Sequence, residues 1–175
     1  MGLIFVDVEA KGASPINGTM AEFGAVDYKS RKTFHGKIWN SHPDPENPAK
    51  PILDNKANDV STVMDEFARW IADLGKSRPI FVSDNPAYDW QWISAAFDLC
   101  GMPNPFGHSG RRISDFWAGY HRDFYRTQDW KSLRQTTHDH NPVNDSMGNV
   151  EAFEAILKMI AEDSTVGESS RANDV

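Results

Sequence analysis

The order of strand-like and helix-like segments predicts an α/β domain, a mixed central β-sheet flanked by helices. Two features carry that expectation. Three strand-like runs come first, the second and third joined by a polar turn, and the sheet should open with three antiparallel strands. Helical periodicity then alternates with further short apolar runs, which should add parallel strands. A third feature concerns function: carboxylates stand at the ends of these segments, where core residues are expected.

Residues 3–8, "LIFVDV", read as a buried strand. "TMAEFGAVDY" (19–28) and "TFHGKIWN" (33–40) read as two more, with the polar turn "YKSRK" making them a hairpin. "SHPDPENPAKP" (41–51) contains four prolines and is expected to be an irregular loop. From Val60, apolar residues recur at 60, 63, 64, 67, 71 and 74, and Gly75 supplies a stop, so an amphipathic helix is predicted. "RPIFVSD" (78–84) is a fourth strand, and residues 88–101 form a helix ending at Gly101. Residues 112–125 should hold a short strand and then a helix. The last helix spans 141–163, with Val143, Met147, Val150, Phe153, Leu157 and Ile160 as its apolar face. The small, polar sequence beyond it predicts one domain over 1–163 and a disordered tail over 164–175.

At 175 residues and 39% hydrophobic, the chain has room for one core. No apolar run approaches the roughly 20 residues of a membrane helix. The start, "MGLIFVDVEA", lacks the basic region and cleavage site of a signal peptide and the Ser or Thr of a myristoylation motif. Cys100 is alone, so disulfides do not hold the fold. These features favour the cytoplasm and no membrane partner. The net charge of −7 argues against a broad basic nucleic-acid surface, but bound cations at an acidic site would reverse its sign locally.

The carboxylates form a pattern. Asp7 and Glu9 alternate at the end of the first strand, so they share a face. Asn85 and Pro86 suit an N-cap and a first helical residue, which places Asp89 in the first turn, above the apolar face of its helix. Asn141 and Pro142 repeat the arrangement for Asp145, and His140 stands just before that cap. Sites in open α/β sheets form beyond the strand ends. Four converging carboxylates would repel one another unless cations were bound, and an all-oxygen set suits Mg²⁺ or Mn²⁺. Two such ions about 4 Å apart can hold a phosphodiester and activate a water, with a neighbouring His as general base.

The residues resemble the DEDDh (DnaQ-like) family of 3′–5′ exonucleases. "FVDVEAKG" resembles the first motif, "AEFGAV" the segment that follows it, "VSDNPAYDW" the second motif and "HNPVND" the third. His140 and Asp145 have the required separation, and Asn141 excludes the tyrosine subclass. "NPAYDW" and "HNPVND" are most similar to small stand-alone bacterial and phage members, the phage exonuclease A type and mycobacterial-type exoribonucleases. Ala10, Lys11, Asp84 and Ser146 depart from the common pattern: many relatives carry threonines at the first two positions, His at the third and Ala at the fourth.

The resemblance implies an RNase H-like fold. It also implies two Mg²⁺ or Mn²⁺ ions on Asp7, Glu9, Asp89 and Asp145, with His140 as general base. The implied activity is a metal-dependent 3′–5′ exonuclease (a hydrolase) acting on single-stranded nucleic acid or 3′ overhangs, and it tilts the reading toward RNA. A DNA-specific exonuclease of the same fold and a non-catalytic nucleic-acid-binding module are the alternatives.

Other residues have bland and functional readings. Asp89 and Asp145 each suit a helix start through the dipole alone, and it is their combination with Asp7 and Glu9 that favours a site. His138 also raises an HD phosphohydrolase, but no other His has helical spacing to it, so it reads as a loop residue. Glu22 is either near the metals or a hairpin charge. Cys100 and Trp92 read as core. Trp90 could be exposed near the site, and Met20 and Phe23 could contact the terminal base. Asn85, Arg111 and Arg112 complete the candidate substrate contacts. Arg122, Arg126, Lys131 and Arg134, interleaved with aromatics, suit either phosphate contacts or a solvated helix face. The sequence leaves the oligomeric state, a homo-oligomer included, open.

Overall fold

The computed structural model describes residues 2–38, 58–76 and 78–172, with side chains as far as residue 165. Five strands form one sheet: β1 (Gly2–Lys11), β2 (Thr19–Asp27), β3 (Thr33–Lys37), β4 (Pro79–Ser83) and β5 (Gly110–Arg112). Their order is β3-β2-β1-β4-β5. β1 pairs antiparallel with β2, and β2 with β3, whereas β4 runs parallel to β1 and β5 parallel to β4. The expected mixed sheet is therefore present. β3 ends at Lys37 and Ile38 makes a single bridge to Asn58, while positions 39 and 40 of the expected strand lie outside the described residues. The proline-rich loop over 41–51 lies outside the described residues. Among the described residues no helix is long and apolar enough to cross a membrane.

Strand alternation divides the core into two layers. Ile4, Val6 and Val8 of β1 point to one face, where α1 (Val60–Asp73) and α2 (Pro86–Leu99) contribute Val63, Phe67, Ile93 and Phe97. Phe5 points to the other, where α3 (Ile113–His121) and α4 (Pro142–Ala172) contribute Ile113, Trp117, Val150 and Ile156. Asp7 and Glu9 continue the Phe5 face, so the second layer gives way to carboxylates at the end of the strand. A 3-10 turn over Asp129–Leu133, which periodicity does not predict, seats Trp130 fully inside this layer. Its indole N–H donates to Ser114 Oγ at 3.1 Å and to the Thr127 carbonyl at 3.0 Å.

α4 departs from its predicted form in two ways. Its backbone stays helical to Ala172, past the boundary at 163 where composition predicts a disordered tail. Ser164 and Thr165 turn their hydroxyls back onto the Ile160 and Glu162 carbonyls, bonds compatible with continued helix. Val150 is buried and Met147, Phe153 and Ile160 pack against the second layer as the apolar stripe predicts, but the buried face is shifted at its polar end. Asp145, Ser146, Asn149, Ala152 and Ile156 are buried, while Leu157 is 37% exposed. Polar contacts at the N-terminal end account for the shift: Ser146 Oγ donates to the buried Gly24 carbonyl at 3.1 Å, and Asn149 Oδ1 accepts from Arg134 at 2.5 Å.

The seat of α4 on the sheet requires glycine at position 24. A Cβ there would lie 2.2 Å from the Pro142 carbonyl carbon and 2.3 Å from Val143 N, both backbone atoms. Neither can swing aside as a side chain can. Gly24→Ala should therefore destabilise the protein by about 1–3 kcal/mol or more, the range of overpacking substitutions. Chemical denaturation compared with Ala25→Gly would check this, and an unchanged midpoint for Gly24→Ala would refute the packing argument.

Candidate active site

Three carboxylates meet at the carboxyl end of β1. One oxygen from each of Asp7, Glu9 and Asp145 lies within 4.8 Å of the others. Asp7 and Glu9 come from alternate positions of β1, and the pairing with β2 is interrupted by a bulge between Glu9 and Ala10, where the strand leaves the sheet. Asp145 comes from the first turn of α4 and is 2% exposed. Asp89, in the first turn of α2, is 5% exposed and stands beside Asp7 outside the trio. All four predicted acids are thus gathered, three of them tightly.

The electrostatics are those of a cation site. Burial, then the charges of Asp89, Asp145 and Glu9, push Asp7 from 3.8 up to about 8, with Arg134 pulling the other way. Burial pushes Asp89 from 3.8 up to about 7, against the Ser83 hydroxyl and the backbone at Val8 and Asn85. Burial also raises Glu9, opposed by His140. Asp145 Oδ1 is buried with no hydrogen-bond partner, and Oδ2 is approached only by the His138 ring. A buried carboxylate oxygen without a partner, beside the oxygens of Asp7 and Glu9, fits a hard divalent cation.

The segment before α4 is braced by Asp139. One of its oxygens accepts the Asn141 N–H at 3.0 Å and the other accepts Asn144 Nδ2 at 2.8 Å. Asn141 caps the helix, its side-chain oxygen accepting the Val143 N–H at 3.0 Å. Between them His140 has φ 59°, a left-handed conformation unusual for a residue with a side chain. Its ring is largely exposed, with Nδ1 3.7 Å from Glu9 Oε1. His138, read from sequence as a loop residue, also reaches the site: its Nδ1 is 2.8 Å from Asp145 Oδ2, and the two imidazole centroids are 4.6 Å apart. Spacing to Asp145 favours His140 and gives no signal for His138.

The predicted substrate contacts are dispersed. Phe23 is fully buried between Phe34 and Phe67, on the sheet face opposite Asp7, so it is not available to a terminal base. Met20 is 6% exposed and lines an apolar hollow with Ile16, Trp92 and Leu99. Trp90 packs edge-on against Phe81 instead of standing free. Asn85 is exposed at the start of α2 but makes no side-chain cap; its carbonyl accepts from Tyr88 and Asp89. Arg111 and Arg112 line a groove with Leu3, Ile80 and Phe116, and Arg112 pairs with Asp115. Glu22 faces Glu9 across the β1–β2 ladder and contacts His35 at 2.5 Å. Trp92 is core, and Cys100 is a partly buried free thiol packed against that core. A cleft that includes Asp7 is lined instead by Asp84, Lys131 and Arg134. The two basic residues belong to the 3-10 turn and its cap, where no periodicity marks an inward face.

A five-stranded sheet in this order, with acids at the end of its first strand and at two helix starts, is an RNase H-like fold. The comparisons agree. E. coli exonuclease I bound to single-stranded DNA and zinc superposes with a TM-score of 0.59 at 15% identity, over 93% of this chain and 40% of that one. A second complex of the same enzyme with an oligonucleotide gives 0.57 at 14% identity, over 86% and 39%. The chain therefore spans about 40% of the length of exonuclease I. A curated relative, the 3′–5′ DNA exonuclease Cap18 of Escherichia coli, is 26% identical over 171 residues, covering 89% of this chain and 91% of that protein. No family model matches the chain. The motifs resemble the DnaQ-like 3′–5′ exonucleases, the fold is shared with exonuclease I, and the curated relative is named a 3′–5′ DNA exonuclease.

The raised acids make stability depend on pH. Both folded values lie above the unfolded one, so between about pH 4 and 8 the metal-free folded state holds more protons than the unfolded chain. Stability is full below that window and is lost as pH rises through it. In EDTA the melting temperature of the wild type should fall relative to Asp7→Asn between about pH 5 and 8.5. Added Mn²⁺ should restore more at the upper pH. Parallel melting curves for the two proteins, or equal Mn²⁺ shifts at both pH values, would contradict the assignment.

Proposed function

We propose that the chain is a divalent-metal-dependent 3′–5′ exonuclease that shortens single-stranded DNA and releases nucleoside 5′-monophosphates. The observation that carries the reading is the convergence of Asp7, Glu9 and Asp145 within 4.8 Å, with buried Asp89 beside them. Two cations, Mg²⁺ or Mn²⁺, would be held by these four residues and would supply charge neutralisation at the phosphodiester and a more acidic attacking water. His140 stands exposed at the rim on a braced turn and takes the proton from that water. The water oxygen bonds to phosphorus, the bond to the 3′ oxygen of the preceding sugar breaks, and that oxygen is protonated from solvent.

Single-stranded DNA is placed first because the curated relative is named a DNA exonuclease and exonuclease I is seen with single-stranded DNA. The motif resemblance tilts toward RNA, so RNA is the direct competitor in the test. A 5′-labelled oligonucleotide of each kind should be incubated with Mg²⁺, Mn²⁺ or EDTA. DNA should give a ladder shortening stepwise from the 3′ end with metal and none with EDTA. Faster RNA degradation would reverse the substrate order. No degradation under any metal, or full activity in Asp145→Asn, would overturn the function.

The two histidines make separate predictions. His140→Ala should lower kcat roughly 10²- to 10⁴-fold, the usual contribution of a general base. His138→Ala should cost less than tenfold if its role is confined to the neighbourhood of Asp145. Single-turnover rates for the two variants would check this, and the reverse ranking would move the base to His138.

A further inference from the structure

A single strand of nucleic acid is a polyanion, and this chain carries a net charge of −7 around a carboxylate centre. Affinity for phosphate must come from cations placed locally. Several basic side chains are matched one-to-one at a distance from the site: Arg31 with Glu154, Lys76 with Asp27, Arg69 with Asp65, and Arg126 with Asp129. Lys131 and Arg134 differ. They line a cleft of about 550 Å³ whose wall includes Asp7 itself, together with Asp84, Thr137 and His138.

The two cations share one anion. Lys131 Nζ is 2.6 Å from Asp84 Oδ2, and Arg134 Nη2 is 3.9 Å from the same oxygen. The other carboxylate of the cleft wall is Asp7, whose raised value Arg134 opposes. Arg134 is held in place. The Arg134 guanidinium is centred 5.1 Å from the buried Trp130 ring, its Nη2 bonds the Asn149 side chain, and its buried Nε has no hydrogen-bond partner. The Lys131 ammonium lies 5.9 Å from the same ring. Trp130 is held by two hydrogen bonds, so the Arg134 side of this edge is ordered before any ligand arrives.

Resting on the exonuclease reading, we propose that the Lys131–Arg134 cleft is a phosphate subsite. It would hold a backbone phosphate of the strand that remains, next to the phosphodiester being cut. Asp84 orients Lys131 in the free protein and limits the affinity of the subsite.

The test uses the full chain in an Asp145→Asn background with Mg²⁺, where binding is read without turnover. Fluorescence anisotropy with a labelled oligo-dT gives Kd at several salt concentrations. Lys131→Ala should weaken binding about three- to tenfold and reduce the slope of log Kd against log salt by about 0.7, the value for one phosphate contact on a single strand. Lys131→Arg should restore both. Asp84→Asn should tighten binding. Unchanged Kd and slope in Lys131→Ala would overturn the subsite, as would weaker binding in Asp84→Asn. If the variants alter only competition by a deoxynucleoside 5′-monophosphate, the cleft holds product, and the assignment to the strand fails. Ladder formation by the unmodified protein tests the exonuclease reading separately, so the two can fail independently.

Discussion

The contact between the start of α4 and Gly24 of β2 is the constraint on which the rest of the site depends. Backbone meets backbone there with no room for a side chain, and Ser146 closes the join with a hydrogen bond to the glycine carbonyl. The join fixes the height of α4 above the sheet. That height brings Asp145 from the far end of the sequence to Asp7 and Glu9. It also sets where the turn carrying His138 and His140 must cross. Shifting α4 to admit a methyl group there would move Asp145 relative to Asp7 and Glu9.

The same join explains a local conflict in α4. Its apolar stripe alone would turn Leu157 inward and leave Asn149 outside. The helix instead buries Asp145, Ser146 and Asn149 and leaves Leu157 partly exposed. A helix ordinarily buries its apolar face because each such side chain contributes on the order of 1.5–3 kcal/mol. Here that gain is partly given up, and carboxylates with strongly raised values are gathered as well. Both costs oppose stability in the metal-free protein, and the second is relieved when charge is neutralised. A site whose groups repel one another until a ligand arrives is a common mark of function.

Much of this was legible in the sequence, for a physical reason in each case. Asp7 and Glu9 showed themselves because strand alternation is a two-residue rule that survives any packing. Asp89 and Asp145 showed themselves because a cap residue and a proline mark a helix start to within one position. The edge of the hairpin was less legible. Phe23 alternates correctly, but which face of β2 meets α1 is settled only by the layer of aromatics from Phe34 and Phe67. The position of Asn85 was right, yet its side chain does not cap, since Pro86 and the backbone carbonyl already define the turn. His138, Lys131 and Arg134 lie in stretches without a period, and no spacing rule assigns a direction to side chains there.

Those aperiodic residues share an anchor. Trp130 joins α3 to the segment leading into α4 through Ser114 and Thr127, and its ring lies beside both Lys131 and Arg134. Arg134 in turn bonds Asn149 of α4, and its charge opposes the raised value of Asp7. One buried indole therefore ties together a core layer, a cationic cleft wall and the charge balance of the first-strand carboxylates. Loss of the indole ring would leave a core cavity and, in addition, a mobile guanidinium. A guanidinium free to swing toward the acids could compete with a cation for them. The fixed stacking keeps Arg134 close enough to offset repulsion at Asp7, and directed by Asn149 and Asp84 away from occupying the carboxylate centre itself.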